Sequence, residues 1–128
     1  MGFAVRRHPQ AFTLDPSSKK TRRLEDPRHL AFIRRLPSVI SGVYDCEACH
    51  IRAGSALHRK VWTGAGRKPD DCWVLPMTPA EHRAQHAMGD ELAFWRQHEI
   101  DPFELAVRLY EVSGDVNAAE QIIRKVRG

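Results

Sequence analysis

Apolar residues in this chain come in short bursts, separated by Asp, Thr, Gly and Pro where helices begin and end. Residues 1–25 mix Pro, Ser, Lys and Arg with little periodicity and read as an extended, flexible basic arm. Asp26-Pro27 predicts a helix start, with Asp as N-cap and Pro at the first helical position. Leu30, Ile33 and Leu36 share one face of that short helix, and Pro37 stops it. Residues 39–51 hold Val39, Ile40, Val43, Tyr44 and Ile51 around Gly42, which is strand-like material with a turn in it. Residues 53–70 read as a long charged loop punctuated by Gly54, Gly64 and Gly66. Trp73, Val74 and Leu75 predict a second short strand, ended by Pro76.

The second half of the chain is helical. Thr78-Pro79-Ala80-Glu81 has the form of a capping box, predicting a helix to about Met88 with Gly89 as its left-handed cap. Asp90 caps a further helix through Leu92, Phe94 and Trp95. Asp101-Pro102-Phe103-Glu104 repeats the start signal, for a helix that buries Phe103, Leu105, Ala106, Leu109 and Tyr110 and ends near Gly114. Asp115 begins the last helix, with Val116, Ala119, Ile122, Ile123 and Val126 on its apolar face. The fold class is therefore α+β: one helix, a two-stranded hairpin with a long loop, then four helices. A chain of 128 residues suits a single domain at 26–128 behind the arm.

Charge adds a direction to this picture. The formal net charge is +4, but residues 1–36 carry nine Lys/Arg against three Asp/Glu, and the remainder is slightly acidic. A basic arm suits a phosphate backbone, although on charge alone a solvated tail is the favoured account. No apolar run is long enough to cross a bilayer and the N-terminus lacks a signal-peptide core, so a cytoplasmic protein with no membrane partner is expected. The three cysteines, Cys46, Cys49 and Cys72, argue against a disulfide framework.

The candidate chemistry is imidazole chemistry. His82 and His86 lie four apart on a predicted helix, one above the other, where both rings can bind one divalent metal. His50 ends a strand-like segment and titrates near neutrality, which suits a general base for water. Trp73, Phe94 and Trp95 fall in strand or helix patterns and are expected in the core. Trp62, in the basic loop, is expected at the surface, where it could stack on a base.

Taken in order, several segments resemble the HNH (ββα-metal) endonucleases of phages and prophages. They are Ala48-Cys49-His50-Ile51-Arg52, Gly64-x-Gly66-Arg67-Lys68-Pro69-Asp70-Asp71, Leu75-Pro76, Glu81-His82-Arg83-Ala84-Gln85-His86, Gly89 and Phe94-Trp95. The likeness is to phage recombination-promoting nucleases and to the colicin DNase active site, and it covers about residues 30–112. It implies a ββα core at about 43–88, with C-terminal helices over 90–127. It implies DNA as partner, His50 as general base, and one divalent ion (Zn, Mg, Mn or Ni) on His82 and His86. Asp71, or less favourably Asp70, would orient the base. Arg52 and Lys68 would hold the scissile phosphate, with Arg67 and Lys60 as further basic contacts. Cys49 stands where many such sites carry another metal ligand, and it remains a candidate.

The chain also departs from the family pattern. Its motif reads H-D-H rather than H-N-H. Cys46-x-x-Cys49 has no second Cys pair at the helix start, where Thr78 and Glu81 stand instead, so a four-ligand structural zinc is incomplete. Three alternatives follow: an HNH-fold DNA-binding protein without turnover, a thiol redox protein using Cys46 and Cys49, and a homodimer cutting both strands by two-fold symmetry.

Overall fold

A computed structural model of the chain describes residues 23–64 and 67–128. Most of the predicted arm (residues 1–22) lies outside the described residues. The described chain is α+β: helix α1 (Pro27–Arg34), strands β1 (Glu47–His50) and β2 (Val74–Met77), then helices α2 (Pro79–Met88), α3 (Glu91–Gln97), α4 (Pro102–Glu111) and α5 (Val116–Arg127). No described helix is long and apolar enough to cross a membrane.

All five helix starts follow the local capping signals. Asp26, Asp90, Asp101 and Asp115 each accept a backbone N–H of the first turn. Thr78 and Glu81 form the reciprocal capping box of α2, and Gly89 ends that helix at φ 75°. Each such cap contributes about 1 kcal/mol, so local chemistry alone sets where these helices begin.

β1 and β2 pair antiparallel, from Glu47 opposite Met77 to His50 opposite Val74. Pro76 belongs inside β2 rather than after it, contrary to the sequence reading. The bond from Ile51 N to Trp73 O sets an alternation in which Pro76 points its backbone away from β1. A missing N–H costs nothing there, and the Pro76 carbonyl instead accepts Val39 N at 3.1 Å.

The core gathers under this hairpin. Trp73, Trp95, Ile33, Leu36, Ile51, Leu75, Met77, Leu109 and Ile123 are all fully buried. Trp73, Phe94 and Trp95 thus sit in the core as expected, and Trp62 is 66% exposed.

Two stretches read as irregular are ordered. Residues 23–25 are not part of a free arm: Leu24 N donates to Asp70 Oδ1 at 2.7 Å and Asp71 N to Leu24 O at 2.9 Å. Within the long loop, Ser55 and Lys60 exchange backbone bonds of 2.8 and 2.9 Å, and Thr63 N donates to Arg52 O at 2.9 Å. These bonds make a small antiparallel ribbon from 52–55 and 60–63. Gly54 permits it, because a Cβ there would stand 2.8 Å from Trp62 N.

Candidate active site

Strand alternation sorts β1 into two faces. Ala48 and His50 open onto a cleft of about 380 Å³, while Glu47 and Cys49 lie on the other side. Helix α2 supplies His82, Gln85 and His86 to the same cleft, and the loops supply Arg52, Trp62 and Lys68. The three imidazoles singled out from sequence therefore share one cavity.

His50 is held from behind. Its Nε2 lies 2.8 Å from Asp71 Oδ1, and that oxygen also accepts Arg23 Nη1 at 2.7 Å. Asp26 N donates to the other carboxylate oxygen at 2.8 Å. Burial works against the Asp71 charge, but the bonds from His50, the Asp26 amide and Arg23 outweigh it and hold the carboxyl below its ordinary range. An ionised carboxylate only accepts, so His50 carries its proton on Nε2 and keeps the Nδ1 lone pair free. Burial also lowers the His50 pKa, with the Asp71 bond and charge opposing that shift. The result favours a neutral ring able to take a proton.

His82 is held by a second carboxylate. Its Nδ1 lies 2.9 Å from Glu47 Oε1, so the proton sits on Nδ1 and Nε2 presents a lone pair. His82 Nε2 and His86 Nε2 are 3.0 Å apart. Two nitrogens each about 2.0–2.1 Å from one ion stand ~3 Å apart, so this pair fits a shared divalent cation. A carboxylate behind a ligating imidazole is the usual support for such a ligand. A different grouping is also available: Glu47, Cys49 and His82 offer ligand atoms within 4.8 Å of one another and could hold a metal ion. That set uses the Cys49 thiol, which burial and Glu47 push up to about 12. The imidazole pair lies on the cleft, whereas the thiol of the other set would have to lose its proton on binding an ion.

The remaining sequence-predicted residues separate. Lys68 is exposed on the cleft rim. Arg52 lines the cleft, but its Nη1 donates to the carbonyls of Arg67 at 2.6 Å and Gly64 at 3.2 Å, tying down the loop. Arg67 is exposed outside the cleft lining. Lys60 is a correction: it is only 5% exposed, and its Nζ donates to Ala53 O at 2.8 Å beneath the ribbon. Burial lowers its pKa to about 8, and no phosphate can reach it without opening the loop. Asp70 is another correction, because its Oδ1 serves Leu24 N and it makes no described bond to His50. Cys49 is 2% exposed, with Sγ donating to Glu47 O at 3.7 Å, and it does not line the cleft.

Three contributors escaped the sequence reading. Glu47 and Arg23 support the two imidazole sites from positions that only tertiary contact brings near. Glu91 accepts Ala53 N at 2.9 Å and Arg52 N at 3.2 Å, fixing the chain that leaves β1 against α3. For Glu47 the strand pattern carried a usable hint, since it precedes Cys49 by one alternation on the same face.

Comparison with protein-family models, with curated proteins and with solved structures gives no match.

Proposed function

We propose that the protein is a metal-dependent DNA endonuclease of the HNH type, acting in the cytoplasm, with β1, β2 and α2 as its ββα-metal core. The observation that carries this reading is the shared cleft: His50, His82 and His86 come from separate elements and line one cavity. The ordered resemblance of the sequence to HNH nucleases of phages supports it.

In this reading His50 Nδ1 removes the proton from the attacking water. Asp71, bonded to Nε2, fixes the tautomer and stabilises the imidazolium that forms. Arg23 keeps the Asp71 carboxylate charged and aligned. Lys68 on the rim offers its ammonium to the scissile phosphate, and Arg52 holds the adjoining loop in shape. His82 and His86 would hold a divalent cation on the cleft. When bound, that ion supplies charge stabilisation at the phosphate and the leaving oxygen.

The test is plasmid cleavage with Mg, Mn, Ni and Zn in turn. The unaltered protein nicks or cuts with at least one ion, and His50→Ala and His86→Ala do not. Undiminished cleavage by His50→Ala would overturn the assignment. Salt-sensitive DNA binding without cleavage under any ion would instead favour a DNA-binding protein of the same fold.

A further inference from the structure

Trp62 is out of keeping with the other two tryptophans. Trp73 and Trp95 are each 1% exposed, whereas Trp62 is 66% exposed. It is nevertheless not on a loose tip. The bonds from Thr63 N to Arg52 O and between Ser55 and Lys60 bracket it, and its backbone presses on Gly54. The ribbon therefore presents an indole to solvent from a fixed backbone, in the wall of the cleft that holds the three imidazoles. An exposed indole loses the hydrophobic gain of burial, and nothing in the described packing returns it.

The surroundings of Trp62 suit a nucleic acid. Lys68, on the same wall, has an exposed ammonium. The cleft's two carboxylates are already engaged, Asp90 by Ala93 N and Glu91 by the amides of Arg52 and Ala53. An exposed aromatic face and an exposed lysine lining one cleft match an unpaired nucleobase together with its phosphate. A base inside a duplex presents only its edge, because its faces are stacked.

We propose that Trp62 stacks on an unpaired base, so that the cleft takes single-stranded or frayed DNA in preference to continuous duplex. This rests on the cleft being a DNA site and names the substrate class for the nuclease reading.

The experiment is a binding titration of the full chain in EDTA, where no turnover is needed. Fluorescence anisotropy compares a labelled single-stranded oligodeoxynucleotide with a blunt-ended duplex of equal length. The Trp62 contribution to intrinsic emission is the difference between the unaltered protein and Trp62→Ala, since Trp73 and Trp95 also emit. The single strand is expected to bind more tightly and to quench the emission. Trp62→Ala weakens single-strand binding by about fivefold to a hundredfold, the range one base–aromatic stack contributes. Trp62→Phe restores most of the loss. Three results would overturn the proposal: equal single-strand affinity in Trp62→Ala, tighter binding of the duplex, or an emission blue-shift with protein concentration alone. The last would assign the indole to contact between copies. Metal-supported cleavage is scored separately, so a protein that binds with quenching but never cuts sinks the nuclease reading alone. One that cuts with Trp62 silent sinks the stacking proposal alone.

Discussion

Two carboxylate–imidazole pairs flank the cleft at nearly equal length and in opposite surroundings. His50 meets Asp71 at 2.8 Å, with the Asp71 side chain 4% exposed. His82 meets Glu47 at 2.9 Å, with side chains 31% and 49% exposed. Distance alone would rank them together, but burial separates them. Water cannot replace a partner of Asp71, so turning His50 away would strand a buried charge. The Glu47 pair competes with water and contributes little as an ion pair. A locked ring suits a general base, whose free nitrogen must always face the same way. A ring that can be re-addressed suits a ligand that must close on an incoming ion.

The comparison breaks most visibly at the locked pair. His50→Ala is expected to lower the rate of DNA cleavage by about 10²–10⁴-fold, the usual contribution of a positioned general base. Asp71→Ala removes the acceptor that fixes the tautomer, and should lose ~10²-fold or more in kcat with a smaller change in KM. Single-turnover cleavage reads both. An Asp71→Ala protein with unaltered kcat would mean that the buried pair serves folding alone.

A third imidazole sharpens what burial does without a carboxylate partner. His29 is fully buried, with Nδ1 2.8 Å from Ser113 Oγ, and it packs against Tyr110 with ring centroids 4.7 Å apart. Burial lowers its pKa to about 4, with the charge of Asp26 opposing. The folded protein thus resists protonation that the unfolded chain accepts near 6.5. The stabilisation is complete above about pH 6.5 and is lost as pH falls toward 4, up to about 3 kcal/mol. Urea unfolding at pH 7 and pH 4.5 measures it. His29→Leu should lose markedly less stability over that interval than the unaltered protein.

At the exposed pair the expected effect is smaller and falls on the metal. Glu47→Gln leaves the His82 and His86 nitrogens in place but weakens the acceptor behind His82, and should reduce affinity for a divalent ion by about 10–100-fold. Calorimetry with Zn or Ni reads it directly. An unchanged affinity would deny Glu47 any supporting role.

What could be read from the sequence follows the range of the forces involved. Helix starts were legible because an Asp or Thr cap with its first-turn amides is contained in four residues. So were His82 and His86, which one helical turn brings together. Strand limits were less so: β1 covers only 47–50 of the strand-like 39–51, because pairing with β2 rather than propensity sets its ends. Glu47 and Arg23 act across 35 and 48 residues of sequence, on His82 and Asp71 respectively. Lys60 misled for a related reason. A lysine in a charged loop reads as solvated, yet the ribbon folds over it and gives its ammonium the Ala53 carbonyl.

The smallest expected effect decides which face of β1 binds metal. Cys49 is one residue before His50, and alternation turns it to the side opposite the cleft, among buried neighbours. Burial and the Glu47 charge push its thiol up to about 12 in the metal-free protein, so an ion there would have to displace the proton on binding. Cys49→Ala should therefore cost about 1–2 kcal/mol of stability through lost packing. Its affinity for a divalent ion should stay within about twofold of the unaltered protein, since the two Nε2 atoms do not touch the sulfur. Cobalt gives the sharper reading, because a thiolate ligand adds an intense near-ultraviolet charge-transfer band that imidazoles do not. Absence of that band in the unaltered protein fits an ion held by His82 and His86. Its presence, with its loss in Cys49→Ala, would move the ion to the Glu47, Cys49 and His82 grouping.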